Sequence, residues 1–412
     1  MRKMKFFIFI FTLFFLFACQ KSGGRLKIIG TWGGSELETF KKVCGAAGVE
    51  IDFETTRDLD AILTTRLKAN NLPDMAILPN PSKMKELIKA GTLRELNYID
   101  RNELEKNYSK LWIDMGSYGG KLFGIYIKAA NKSLIWYNPE EFKKNGWLVP
   151  SNWDELISLT KKIASSGKKP WSIGADIGWP LSDWIENILV HNSGPEIYNR
   201  WIYHEIRWTH SEIKKAFLKW YDIVGNKDFL CGGIDGTLST KFQNAAFMVF
   251  TKPPKAYLHY EGDFISSIVV AELSNIKPGE SIDFFPFPPI KTEYGTPVVG
   301  GADVVVVFSD RPEVKKLIRF LITKEANEIA AKNGFISPNR NVPLENYPDS
   351  ISRKSAKMLQ EARIFVFDAS DLMPPAVGNQ GGFWDACKRF VQNPESLDEI
   401  LMEMEEIASK NY

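Results

Sequence analysis

The regular alternation of strand and helix signals over the first hundred residues most constrains the fold. Leu26-Lys27-Ile28-Ile29 reads as a short strand, and Gly33-Gly34 turns the chain into a helix from about Ser35. Leu37, Phe40, Val43 and Cys44 would share one face of it. Val49, Ile51 and Phe53 alternate with Glu50, Asp52 and Glu54, the period-two pattern of a strand. Leu59, Ile62, Leu63 and Leu67 return to helical spacing. Met75 to Leu78 is an apolar strand closed by Pro79-Asn80-Pro81, and the helix from about Ser82 stops at Gly91, a residue favoured just past a C-terminus. Strands alternating with helices imply βα units and a largely parallel sheet, an α/β fold.

A second α/β region follows. Ser133 to Tyr137 is a strand, and Asn152 is expected to cap the next helix, with Glu155 completing a capping box. Helical patterns run from Trp184 to Val190 and from Glu212 to Tyr221. Strand character returns at Val304 to Phe308, after Gly300-Gly301. A helix is expected from Pro312, ended by Gly334, and an acidic amphipathic one from Pro394 to Ile407. A body this long exceeds one core, so two domains are expected.

The N-terminus speaks to location. Arg2, Lys3 and Lys5 precede the apolar run Phe6 to Phe17, broken only by Thr12. A basic start, a short apolar core and small Ala18 make residues 1–18 a secretory signal peptide. The run falls short of the about 20 residues a spanning helix needs. Leu16-Phe17-Ala18-Cys19 resembles the bacterial lipobox, which implies lipidated Cys19 and a tether over 19–24. Two or three acyl chains would hold the protein to a membrane. Loss of three cations from 52 basic residues, against 50 acidic, leaves one acidic residue in excess. Such a chain has no general pull toward nucleic acid. Cys44, Cys231 and Cys387 are odd in number and lack metal-ligand spacing. One disulfide and three free, buried thiols both remain open.

Several segments, in this order, resemble the extracellular solute-binding proteins of carbohydrate ABC importers, the family that includes maltose-binding protein. They are Pro73-Asp74-Met75-Ala76-Ile77; Gly124-Ile125-Tyr126 with Ser133 to Asn138; Pro150 to Leu156; Gly300 to Asp303; Gly334 to Pro338; Leu372 to Pro375; and Phe383-Trp384. Arg57-Asp58, Gly178-Trp179-Pro180, Asp183 to Glu186 and Phe367 to Pro374 are similar to α-glucoside-binding components. Lys252 to Lys255 and His259 to Asp263 match no family pattern, leaving the part that loop plays in ligand choice open. The resemblance implies a type II periplasmic-binding-protein fold of two lobes, each a mixed, mainly parallel sheet with flanking helices. Lobe one would comprise 25–130 with 299–343, and lobe two 131–298 with 344–412. A ligand would lie between them, and hinge closure would follow. Implied too are an oligosaccharide ligand, in the resemblance's own terms an α-glucoside, delivery to permease subunits, a monomeric state and no cofactor.

A sugar offers hydroxyls at its rim and C–H patches on its faces, so its site needs polar groups and aromatic planes. The chain supplies 12 Trp, 13 Tyr and 27 Phe. The candidate ligand-binding residues are Trp32, Glu36, Arg57, Asp58, Asn80, Tyr126, Lys128, Trp179, Asp183, Gly301, Asp303, Asp371 and Trp384. Trp32 follows a strand, where ligands gather in open α/β sheets, and is favoured over a core role. Asp58 is as much an N-cap as a ligand contact, whereas Arg57 carries five fixed donors. Asn80 is either a turn residue or a contact. Lys128 without the resemblance would be a solvated surface charge. Trp179 lies in a Gly-bearing loop, Trp184 belongs to the core by its spacing from Ile188, and Asp183 can cap a helix. Gly300-Gly301 before Asp303 would let a ligand approach the backbone. Phe383 or Trp384 can stack on a sugar, and Asp368 and Asp371 form turns by default.

A glycoside hydrolase is the rival, requiring two carboxylates about 5–9.5 Å apart, from Asp176, Asp183, Asp303 or Asp371. The sequence has no Gly-x-Ser-x-Gly elbow, Walker A loop, Gly-x-Gly-x-x-Gly or His-Glu-x-x-His. A surface adhesin is disfavoured because such modules are more often β-sandwiches.

Overall fold

In a computed structural model, residues 24–56 and 58–412 are described. The expected signal segment, Cys19 with its proposed lipid, and Arg57 lie outside them. The first sheet runs Phe365–Phe367, Val298–Val307, Met75–Leu78, Leu26–Gly30, Ile51–Thr55 in spatial order, and Gly124–Asn131 also pairs with Val298–Val307. Leu26–Gly30 is parallel to both neighbours, while Val298–Val307 runs antiparallel to Met75–Leu78 and Gly124–Asn131. The edge strand Phe365–Phe367 is parallel to Val298 to Gly300. It comes from the C-terminal stretch grouped above with lobe two. Lys27 is exposed while Leu26, Ile28 and Ile29 are buried, and all of Met75–Leu78 is buried. A strand covered on both faces needs such an unbroken apolar run.

The second sheet places Leu134–Tyr137 between Leu258–Tyr260 and Asp283–Pro286, antiparallel to both. Parallel pairing enters through Trp171, which bridges to Leu230 and Leu258. The largest apolar core wraps this sheet with residues such as Trp171, Trp184, Trp201, Trp208 and Phe383. Separate clusters cover the two faces of the first sheet, around Phe40, Leu317 and Phe335 on one and Leu63, Met84 and Phe367 on the other.

Three sequence expectations are refined. Asn152 Oδ1 accepts from Glu155 N at 2.9 Å, but Glu155 Oε2 turns to Ser151, accepting from its N and Oγ at 2.8 Å each. The reciprocal half of the capping box is thus shifted by one residue. The apolar stretch after Pro312 is two helices, Pro312–Leu321 and Lys324–Lys332, with Thr323 Oγ1 capping the second through Ala326 N at 3.2 Å. Strand character around Val304 begins earlier, at Val298, and includes both glycines.

That inclusion has a steric cause. A Cβ on Gly300 would lie 2.4 Å from the Phe365 ring and 3.1 Å from Ala130 O. The glycine lets Phe365 lie against the crossing strand. Gly300→Ala should destabilise the protein by about 1–3 kcal/mol, the usual cost of overpacking. Urea unfolding checks this; an unchanged midpoint would mean that the ring has room to move.

Candidate functional site

The carboxyl ends of Leu26–Gly30, Ile51–Thr55 and Met75–Leu78 lead to Trp32, Asp58 and Asn80 respectively. The three residues differ in what they do. Trp32 is only 2% exposed and packs edge-on against Phe40 and Phe335, at 5.5 and 5.1 Å. It is not an open stacking plane. Its indole Nε1 instead donates to Asp303 Oδ2 at 3.2 Å. Asp58 is exposed and makes no capping hydrogen bond with its side chain. Asn80 is buried as a helix cap, its Oδ1 accepting from Ser82 N at 2.8 Å and Ser82 Oγ at 2.6 Å.

Lys128 organises the first polar cluster. It lies on Gly124–Asn131, its side chain 14% exposed, so it is no solvated surface charge. Its Nζ donates to Glu36 Oε1 and sits 3.8 Å from Asp303 Oδ2. The ammonium also lies 5.4 Å from the Phe335 ring centre and 5.9 Å from that of Trp32, within cation–π range. Tyr126 is buried on the same strand against Trp112 at 5.3 Å, and its hydroxyl has no hydrogen-bond partner among the described residues.

Lys132, four residues on, organises the second cluster, and the sequence had not singled it out. Its Nζ donates to Asp368 Oδ2 and lies 3.5 Å from Asp183 Oδ2 and 5.1 Å from the Trp179 ring centre. Asp368 Oδ1 takes Ser370 Oγ at 2.8 Å and Asp371 N at 3.0 Å. Its turn role therefore holds for one oxygen while the other takes the lysine. Asp183 does not cap a helix. It lies inside Trp179–Ile202, 1% exposed, and neither carboxyl oxygen has a hydrogen-bond partner among the described residues. Glu186, also missed, accepts from Tyr198 Oη at 3.0 Å, Ala369 N at 2.7 Å and Ser370 N at 3.3 Å. Oxygens of Asp183, Glu186 and Asp368 lie within 4.8 Å of one another, and Lys132 is the cation among them.

Around these clusters, Trp179 is half-buried against Phe242 and Phe264, at 5.2 and 6.1 Å. Gly178 has φ +105°, and a Cβ there would come within 3.0 Å of Trp384 Cβ. Half-buried Trp384 thus backs the Trp179 loop, its Nε1 without a hydrogen-bond partner among the described residues. Phe383 is instead fully buried, against Trp201 and Trp208 at 5.2 and 5.1 Å. Beside Gly301 the space is taken by Lys132, whose Cε would be 3.4 Å from an added Cβ. What the two glycines admit here is Phe365 and Lys132.

Burial controls the titration. It raises Asp263 and Asp303 to about 6 each, and Asp183, Glu186 and Asp371 well above the carboxylate range. Burial also opposes ionisation of Asp368, but the charge and hydrogen bond of Lys132 outweigh it and lower the pKa. Glu261 is raised by burial from 4.5 to about 8. There the native state keeps a proton the unfolded chain has lost, so stability falls as pH rises. His191 and His259, lowered by burial from 6.5 to about 4, act with the opposite sign, but below 6.5. Between pH 6.5 and 8, bounds set by those same values, unfolding free energy should fall. Glu261→Gln should remove about one proton from that slope in urea titrations; an unaltered slope would refute the assignment.

No helix among the described residues is long and apolar enough to cross a membrane. The profile of the bacterial extracellular solute-binding protein family matches residues 33–328. The chain is 33% identical to the osmoprotective compounds-binding protein GgtB of Synechocystis sp., over 94% of this chain and 96% of that one. It is 34% identical to the alpha-glucosides-binding periplasmic protein AglE of Rhizobium meliloti, covering 91% and 85%. Among solved structures, the bacterial solute receptor AcbH superposes with TM-score 0.82 at 17% identity, over 94% of this chain and 99% of that one. RafE from Streptococcus pneumoniae does so with TM-score 0.74 at 14% identity, over 95% and 99%. These neighbours share the two-lobed α/β fold, and the relatives are binding proteins rather than enzymes. Profile and relatives together make this chain a member of the bacterial extracellular solute-binding protein family.

Proposed function

We propose that the protein captures a neutral oligosaccharide, an α-glucoside, between two lobes and delivers it to the permease of an ABC importer, unaltered. One observation carries the proposal. Asp183 is buried beside Lys132 and Trp179 with both carboxyl oxygens lacking a hydrogen bond among the described residues. A buried polar group without a partner costs about 1–3 kcal/mol. Sugar hydroxyls, each donor and acceptor, would complete it, while the half-buried Trp179 would cover a ring face. The α-glucoside assignment draws on the likeness to AglE, an alpha-glucosides-binding protein, and GgtB is likewise a binding protein, for osmoprotective compounds.

The proposed ligand set is Glu36, Lys128 and Asp303 from one cluster and Lys132, Asp183, Asp371 and Trp179 from the other, with Tyr126, Gly301 and Trp384 around them. Arg57, outside the described residues, stays in the set for its donors. Lobe one would be 25–130 with 299–343 and lobe two 131–298 with 344–412, acting as a monomer. Cys19 would carry the lipid that keeps the receptor near its permease.

Two experiments test this. Mature protein with maltose, sucrose or trehalose should show a raised melting temperature, about 4 kcal/mol of stabilisation at a thousand times Kd. Chromatography should recover the sugar intact; turnover at enzymatic rates would overturn the binder reading. Cys19→Ala should move the protein from the membrane to the soluble fraction, and firm retention of the variant would refute the anchor.

A further inference from the structure

The segment 250–264, which departs from the family pattern, ends at the junction between the two sheets. Asp263 N donates to Asn131 O at 3.0 Å, and Asp263 Oδ2 accepts from Asn131 N at 3.0 Å and Ser355 Oγ at 2.8 Å. Its other oxygen makes no hydrogen bond among the described residues. Asp263 borders a cavity of about 150 Å³, opposite Glu36, Lys128 and Phe335. One water needs about 10–15 Å³ of such space, so the cavity matches the heavy-atom count of roughly one pyranose. Phe264 lines the same wall and packs at 6.1 Å on Trp179, the ring over Lys132. It therefore stands between residues of the cavity wall and the ring that covers Lys132. Lys128 and Lys132, four residues apart along the crossing backbone, are separated by about 13 Å of chain, longer than one ring.

We propose that this cavity is a second ring compartment of the ligand site, and that Asp263 and Phe264 select the sugar unit that enters it. The assignment rests on the oligosaccharide reading. Its chemistry is particular. Glu36 is engaged by Lys128, and Asp349 Oδ1 by the amides of Ile351 and Ser352. Asp263 Oδ1 is an acceptor left for a ring hydroxyl, beside the second oxygens of Glu36 and Asp349, with Phe264 and Phe335 for its C–H face. The carboxyl groups of Glu36, Asp263 and Asp349 line the cavity while Lys128 is already paired, which would repel a uronic acid and favour an uncharged sugar unit.

The test fills the compartment. Ser266 lines it, and Ser266→Phe would occupy its volume, while Asp263→Asn removes the charged acceptor. Affinities are measured for wild type and both variants from methyl α-glucoside through maltose to maltotriose, with melting temperatures confirming folding. The longer sugars should lose about tenfold or more in affinity in either folded variant, the scale of a hydrogen bond to a charged group. The shortest sugar that binds should change by less than about threefold. Equal losses at every length, or none, would overturn the second compartment while leaving the receptor reading intact. Wild type that binds no member of the series would overturn both.

Discussion

Two ammonium groups buried four residues apart on one crossing segment are the constraint around which the rest of the site is arranged. An isolated buried charge is costly, and removing the partner of a buried ion pair is strongly destabilising. Lys128 is held by Glu36 and Asp303 of the first sheet's side. Lys132 is held by Asp368, at the end of the strand Phe365–Phe367, with Asp183 of the helix Trp179–Ile202 3.5 Å away. Segments far apart in sequence thus meet because each must neutralise the same strand. Carboxyl groups outnumber the lysines, and burial pushes several of them toward the protonated form. A protonated carboxyl offers both a donor and an acceptor, the same pair of capacities that a hydroxyl brings.

The same crowding argues against the hydrolytic alternative. A retaining glycosidase separates its carboxyl groups by about 5–5.5 Å, and an inverting one by more, to admit a water. Here oxygens of Asp183, Glu186 and Asp368 fall within 4.8 Å, around a lysine. Glu186 is further occupied by two backbone amides and Tyr198. The set gathers charge around one lysine. Family membership leads independently to the same conclusion.

How much of this was legible depends on whether the signal was local. The strands and helices of the first hundred residues follow from apolar periodicity, which survives tertiary packing because that packing created it. Asn152 and the Gly300-Gly301 pair were legible as a cap and as a close approach, but not the partners. Glu155 chose Ser151, and the glycines made room for Phe365 and Lys132 rather than open space. Lys132 itself was invisible, since a lysine beside Asn131 and Ser133 reads as surface until a distant Asp368 is known to face it. Trp32 shows the converse error. Its place after a strand correctly led to the edge where polar groups gather, but the indole ring is packed and only its N–H reaches Asp303.

Packing also indicates where the molecule can yield. The apolar cores on either side are broad, and rearranging them would forfeit close-packed contacts. At the junction one apolar cluster is small, chiefly Ala129, Ile336, Val342, Tyr347 and Ala356, while Val299 and Val366 of the first sheet pack into the largest core. The remainder is ionic and hydrogen-bonded, through Lys132, Asp263, Asn131 and Ser355. Polar partners of this kind can be exchanged for ligand hydroxyls at little net cost, whereas buried methyl groups cannot. A bound sugar would therefore compete for the very contacts that join the two sides. In that case ligand binding and the disposition of the lobes would be one equilibrium, and a ligand would shift it only by the difference in its contacts between the two states.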